Sequence, residues 1–187
     1  VLGQQVSLAA AATAAGRLVA AHGRPLKRPL AGVTHTFPDA AALAALDPRA
    51  LPMPASRGRA LTGLAARLAT GELTLDAGAE RDQARGRLLE VPGVGPWTAE
   101  YVAMRALRDP DAFLATDLGI HHALRRHGLD GRPVAAERLS QVWRPYRAYA
   151  VIHLWADLAA AAAEPPRPLE ELCRAQPGAL VEQRRVA

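Results

Sequence analysis

Along most of the chain, apolar residues recur every three or four positions, the spacing of one face of a helix. Ser7 to His22 predicts an alanine-rich helix, with Ser7 as its N-cap and Gly23 as its stop. The pattern lapses over residues 23–38, where Pro25, Pro29, Gly32 and Pro38 predict a loop. Asp39 to Leu46 predicts a short helix ended by Asp47-Pro48. After the LPMPASRG connector, Arg59 to Thr70 returns to helical spacing through Leu61, Leu64, Ala65 and Leu68. Further helices are predicted over residues 80–90, from about Leu118 to His127 with Gly128 closing it, and over 135–143 and 145–163. From Glu164 onward EPPRP breaks the rhythm, and residues 164–187 read as a polar, loosely held tail. No strand and no internal repeat is predicted. The fold class is all-α.

One junction interrupts this rhythm more sharply than the rest. In LLEVPGVGPWTAEYVAMRAL, Leu88 to Leu107, one helix stops at a Pro-Gly-x-Gly-Pro turn and a second starts at once. Pro92 ends the first helix, because its ring disfavours helical geometry at Val91. Gly93 and Gly95 can take positive φ and allow close backbone approach. Pro96 suits the first position of the next helix, where no N–H is needed. The open N–H groups and positive dipole end of that helix form a seat for one phosphate of a nucleic-acid backbone. An ordinary corner between two helices uses the same residues, so both readings stand on the turn alone. Beyond it, Trp97, Tyr101 and Met104 share one helix face, while Ala99, Val102, Ala103 and Ala106 share the other. The first face offers π surfaces for a stacked base, or simply core.

Composition narrows these readings. The chain has 187 residues and is half apolar, enough for one substantial core or two helical lobes sharing one. Its formal charge of +5 rests almost wholly on arginine, Lys27 being the sole lysine. That balance suits an anionic partner such as nucleic acid, though it fits many soluble proteins too. The single cysteine, Cys173, excludes an internal disulfide, a Cys-ligated zinc site and an iron–sulfur cluster within this chain. No segment predicts a membrane span or a signal peptide, and the chain reads as an intracellular soluble protein. The opening Val1, already in a helical pattern, reads as the start of a fragment.

LLEVPGVGPWTAEYVAMRA followed by DAFLATDLGI resembles the helix-hairpin-helix DNA glycosylases, and within them the AlkA-type DNA-3-methyladenine glycosylase II family. VLGQQVSLAAA near the start and WRPYRAYAVIHLW near the end are similar to that family's other signatures, so the resemblance runs from about Val1 to Leu158. It implies a two-lobed helical domain over residues 1–163, with the hairpin at about 83–107 and a cleft between the lobes. The N-terminal mixed α and β domain usual in the family is expected to be missing from this chain.

The resemblance also assigns roles. Asp117, by position alone a helix N-cap, matches the family's essential aspartate, whereas Asp111 in RDPDA reads as a turn or cap residue. Trp97, Tyr101 and Trp155 match the pocket aromatics, which would suit a cationic alkylated base. Gln5 matches the plug that fills the gap left by an everted base, with Gln4 beside it; both could equally be polar residues at a helix start. Gly93, Val94, Gly95 and Thr98 match the phosphate-binding hairpin, and the carbonyls of Leu89, Val91 and Val94 match a site for Na+ or K+. No other cofactor is expected. Trp97 also occupies the position of the lysine that relatives with backbone-cutting activity use to form a Schiff base. The implied enzyme therefore releases a base from duplex DNA as a monofunctional, monomeric glycosylase. The competing readings are a non-catalytic DNA-binding hairpin and a glycosylase of this fold with another damaged base. His121, His122 and His127 diverge on their helix and read as surface residues, and Arg125 and Arg126 as phosphate contacts or solvent-facing side chains.

Overall fold

The computed structural model describes residues 1–4, 6–76 and 78–163, so Gln5 and the predicted tail with Cys173 lie outside the described residues. Among the described residues eight α-helices carry the fold: α1 (Leu8–His22), α2 (Ala40–Ala44), α3 (Ala55–Ala69), α4 (Arg81–Leu89), α5 (Pro96–Arg105), α6 (Leu118–Arg126), α7 (Pro133–Ser140) and α8 (Arg147–Ala163). A short 3-10 turn, Gln141–Trp143, links the last two. The all-α class holds, and helix starts fall where local chemistry put them. Ser7 accepts from the Ala10 amide, Asp39 from Ala42, Glu80 from Gln83 and Asp117 from Ile120. Among the described residues no helix is long and apolar enough to cross a membrane.

One prediction fails. The segment read as a loop over residues 23–38 contains an antiparallel hairpin, β1 (Pro25–Leu30) and β2 (Val33–His35). Its tip is a two-residue turn in which Ala31 and Gly32 both take positive φ, at 47° and 86°. Proline was a misleading signal, because in a two-stranded sheet each strand has a free edge that tolerates it. The hairpin is exposed and adds little core: Leu30 is 75% and Val33 57% accessible.

Burial divides into two clusters, matching the expected two lobes. The smaller joins Leu18, Leu43, Leu51, Leu61 and Ala65, from α1, α2 and α3 with the intervening connector. The larger gathers Leu88, Val91, Val94, Ala103, Leu107, Phe113, Leu114, Ile120, Leu124 and Val151 from α4 to α8. Met104 belongs to this core rather than to an exposed aromatic face, and it is 9% accessible. A cleft of about 680 Å³ is lined from both lobes: Gln4, Pro54, Arg57 and Ala60 on one side; Gly93, Trp97 and Asp117 on the other.

Candidate active site

The hairpin turn is built by short local bonds. The Val91 amide donates to the Leu88 carbonyl (3.1 Å) and the Val94 amide to the Val91 carbonyl (3.0 Å), with both valines buried. Gly93 takes φ +88°, and a Cβ there would lie 3.0 Å from the Ala60 side chain of α3. It is thus required twice, for its conformation and for the close approach of the two lobes. Gly95 makes no use of that freedom. Its φ of −96° and ψ of 176° are extended backbone open to any residue, and a Cβ there would meet nothing within 4 Å. Gly95 instead occupies the N-cap of α5 without a side-chain cap, and Pro96 follows at the first helical position. The Ala99 amide is the first to bond back, to the Gly95 carbonyl (3.0 Å), so the N–H groups of Trp97 and Thr98 precede the helical ladder.

Gln4 secures this turn from the other lobe. Its Nε2 donates to the Gly93 carbonyl and to Thr98 Oγ1, each at 2.9 Å. The structure thus gives Gln4 and the Thr98 hydroxyl to each other, and docks the chain's opening segment on the hairpin. Val94 is buried in the larger core.

Asp117 starts α6 across the cleft and is both of the things its position allowed. One oxygen, Oδ1, caps the helix by accepting from the Ile120 amide at 3.0 Å. The same oxygen accepts from Trp155 Nε1 at 2.9 Å, and Oδ2 accepts from Trp97 Nε1 at 2.9 Å. Three donors from α5, α6 and α8 therefore fix one half-buried carboxylate that lines the cleft. Among the described residues Oδ2 has a single donor, which leaves it acceptor capacity. Phenylalanine and tyrosine have no ring N–H, so neither could replace the indoles in these bonds. Gly119 is a positioning residue the sequence reading missed: a Cβ there would stand 3.0 Å from Asp117 Oδ1 and 3.2 Å from the Trp155 ring.

Trp97 and Tyr101 stack with centroids 5.2 Å apart and planes 16° from parallel, and Trp155 tilts against Tyr101 at 6.3 Å. The three expected pocket aromatics are thus contiguous. Trp97 lines the cleft, whereas Tyr101 and Trp155 are half-buried behind it, against the larger core.

Trp97 and Thr116 also border a second cleft, of about 740 Å³, ringed by Arg85, Glu100, Asp109, Asp111, Arg144 and Arg147. It does not hold Asp117, and its charges satisfy one another. Arg85 binds Glu100 (2.9 Å), Asp82 (3.1 Å) and Asp109. Asp109 and Glu100 outweigh the effect of burial and raise the Arg85 pKa. Asp111 stands in the turn, as expected, its amide donating to Asp109 Oδ1 at 2.9 Å, and its carboxylate binds Arg147 (2.8 Å) and Arg144 (2.6 Å). Burial pushes its carboxyl up, but Arg147 and Arg144 together hold it below the usual carboxylate range. The second cleft is a structural brace on the hairpin, and the first is the candidate site.

The remaining candidates are peripheral. His121 is half-buried and its Nε2 lies 2.8 Å from the Ala115 carbonyl, steadying the loop before Asp117; His127 and Arg126 meet Asp157 at 3.2 and 3.5 Å. His122 and Arg125 are exposed. Among the described residues, no cluster of His, Cys, Asp and Glu side chains could hold a metal ion.

No family model matches the chain. It is similar to a protein of Mycobacterium tuberculosis called a probable bifunctional transcriptional activator/DNA repair enzyme AlkA, with 52% identity over 158 residues, covering 84% of this chain and 32% of that protein. It is 34% identical to DNA-3-methyladenine glycosylase 2 of Escherichia coli, over 83% of this chain and 54% of the relative. The chain thus spans about half, or less, of the length of these relatives. The fold is shared with the Schizosaccharomyces pombe 3-methyladenine DNA glycosylase Mag1, solved in complex with abasic DNA, at a TM-score of 0.67 and 23% identity, covering 82% of this chain and 74% of that one. At 52% and 34% identity over 84% and 83% of its own length, the chain is a sequence homologue of the AlkA-type DNA-3-methyladenine glycosylases.

Proposed function

We propose that this chain carries the catalytic cleft of a monofunctional DNA glycosylase that hydrolyses the N-glycosidic bond of alkylated bases of the 3-methyladenine type. The observation that carries the reading is a carboxylate held by three N–H donors at the mouth of the cleft, facing an uncapped helix start suited to phosphate. The open start of α5 binds the backbone of duplex DNA without reading sequence, and the S. pombe relative's complex with DNA supports that partner. An everted nucleotide then brings its deoxyribose to Asp117.

As the glycosidic bond breaks, positive charge grows on the sugar. A fixed carboxylate about 4 Å away, at an effective dielectric near 20, stabilises it by roughly 4 kcal/mol. That is about three decades in rate. The unfilled acceptor capacity of Oδ2 also suits it to orient or deprotonate the attacking water. An alkylated purine is already cationic, so it leaves without a strong general acid, and the Trp97 ring attracts it through cation–π interaction. Schiff-base chemistry needs an amine, yet Trp97 stands where a lysine would serve, and Lys27 lies on strand β1 rather than on the cleft. The hairpin also suits a monovalent cation, Na+ or K+, held by the Leu89, Val91 and Val94 carbonyls. Those of Leu89 and Val94 accept no backbone amide outside the helices among the described residues, and neutral oxygens are hard-cation ligands.

The test is Asp117→Asn, which keeps size and hydrogen bonding and removes charge. Release of 3-methyladenine from alkylated duplex should fall at least about a hundredfold with DNA binding little changed. Near-parental release would leave Asp117 as an N-cap only. Product DNA should stay intact until alkali treatment, and borohydride should trap no adduct; a trapped protein–DNA adduct would overturn the monofunctional assignment.

A further inference from the structure

Four arginines among the described residues are half-buried: Arg57, Arg67, Arg85 and Arg147. Three of them have carboxylate partners. Arg67 binds Glu72 and Glu90, Arg85 binds Glu100 and its neighbours, and Arg147 binds Asp111 and Glu137. Arg57 has none within ion-pair distance among the described residues. A guanidinium cannot shed its proton, so partial burial without a counter-ion is unfavourable unless an anion arrives. Arg57 also lies in the candidate active site: among the described residues, it and Asp117 are the only charged side chains lining the 680 Å³ cleft.

Its place in the fold aims it at a particular anion. Arg57 stands three residues before Ala60 on α3, so the two share a face about 4.5 Å apart along the axis. Ala60 is the residue against which the Gly93 turn packs. Arg57 is therefore about one helical turn from the hairpin, on the opposite lobe, with the cleft between. A nucleotide whose sugar sits beside Asp117 brings its own phosphate into that cleft, where the carboxylate repels it. No sequence signal separates Arg57 from the many other arginines; its burial without a partner does.

We propose that Arg57 is a second backbone anchor, which binds the phosphate of the everted nucleotide across the cleft from the hairpin. This rests on the reading that the cleft admits an everted nucleotide. Arg57 acts by placing the sugar against Asp117 and by offsetting the repulsion between that carboxylate and the phosphate. The hairpin anchor holds any duplex, whereas the Arg57 anchor is engaged only once a nucleotide has left the stack.

The test uses Arg57→Gln and Arg57→Lys in the full chain, with two probes: a duplex carrying a tetrahydrofuran abasic analogue, and the same duplex undamaged. Arg57→Gln should weaken binding to the abasic-analogue duplex about tenfold, and make the slope of log affinity against log salt shallower by about one. Binding to the undamaged duplex should change less than about twofold. Arg57→Lys, which keeps the charge, should recover most of the loss. Unchanged affinity and slope with the abasic-analogue duplex would overturn the proposal, as would an equal loss on both duplexes. Thermal melts check the fold; should Arg57→Gln lower the midpoint, Arg57→Met keeps the buried stem and must show the same damage-specific loss. Base release by the parent protein, measured on the same preparation, separates the two readings. An inactive parent would count against the proposed function, while the binding contrast still decides the role of Arg57.

Discussion

Two helices begin at the same cleft in opposite ways. The start of α5 is Gly95-Pro96, with no side chain over its first amides. The start of α6 is Asp117, whose carboxylate covers its own first turn and is covered in turn by two indoles. Both exploit the surplus N–H groups that every helix start carries. Left open, the surplus favours an incoming anion. Filled by a resident carboxylate, it fixes that carboxylate in place and presents it to a developing cation. One backbone feature thus serves binding at one edge of the cleft and catalysis at the other, and the choice between glycine and aspartate decides which.

Beyond Asp117 itself, the largest effect should come from the indoles that complete the second start. Trp155→Phe keeps an aromatic ring against Tyr101 and removes the N–H bonded to Oδ1. A hydrogen bond to a charged group is worth about 1.5–3 kcal/mol. Base release should therefore fall by about one to two decades, with duplex binding unchanged, as measured by single-turnover excision beside equilibrium binding. Unaltered single-turnover rates would show that the capping bond from Ile120 suffices to hold Asp117, and would remove the indoles from the comparison.

Exchanging one start for the other sharpens it further. Gly95 is extended and has open space at its Cβ position, so Gly95→Asp introduces no clash and creates an N-cap like that of α6. Aspartate at that position should stabilise the helix by only a few tenths of a kcal/mol over glycine, while its charge occupies the phosphate seat. Binding to damaged and undamaged duplex should weaken together, by about tenfold, as the melting midpoint holds or rises. The opposite signs are the point, because a misfolded hairpin would lower both. A variant that binds DNA normally would reduce the turn to a plain helical corner.

These outcomes bear on what could be read from the sequence. The turn was legible because Pro92, Gly93 and Pro96 act on their own backbone. So was Asp117 as a cap, three residues from the amide that it binds. The clamp was not, since Trp97 and Trp155 stand 20 and 38 residues from Asp117, and their aromatic character suggested stacking rather than donation. Which of the two glycines uses positive φ was not legible, because glycine licenses that conformation without requiring it. The β1–β2 hairpin was missed because its turn is Ala31-Gly32, without the Asn or Asp that marks such turns. Met104 obeyed helical spacing yet turned into the core, since a face shared with two aromatics is not thereby a site. Asp111 and Arg57 lay beyond local reading for one reason: whether a charge is paired depends on distant elements.

The smallest predicted effect concerns what holds the two starts at a fixed separation. The loop between α5 and α6 is braced by Asp111, which ties it to Arg147 at the start of α8. The Asp111 carboxyl titrates lower in the folded chain than in the unfolded one. Its contribution is therefore present above the unfolded value, near 3.9, and is lost as pH falls through the lower folded value. Asp111→Asn should lower the melting midpoint at neutral pH by only about 2–4 °C, corresponding to about 1 kcal/mol in a chain of this size, because Arg147 keeps its bond to Glu137 and Arg144 is half exposed. The gap between parent and variant should narrow as pH is lowered from about 5 toward 3. A gap that stays constant with pH would show that Asp111 braces the loop by shape rather than by charge. Excision at neutral pH should change less than in Trp155→Phe, since the brace sets the spacing of the two starts while the indoles set the direction of the carboxylate.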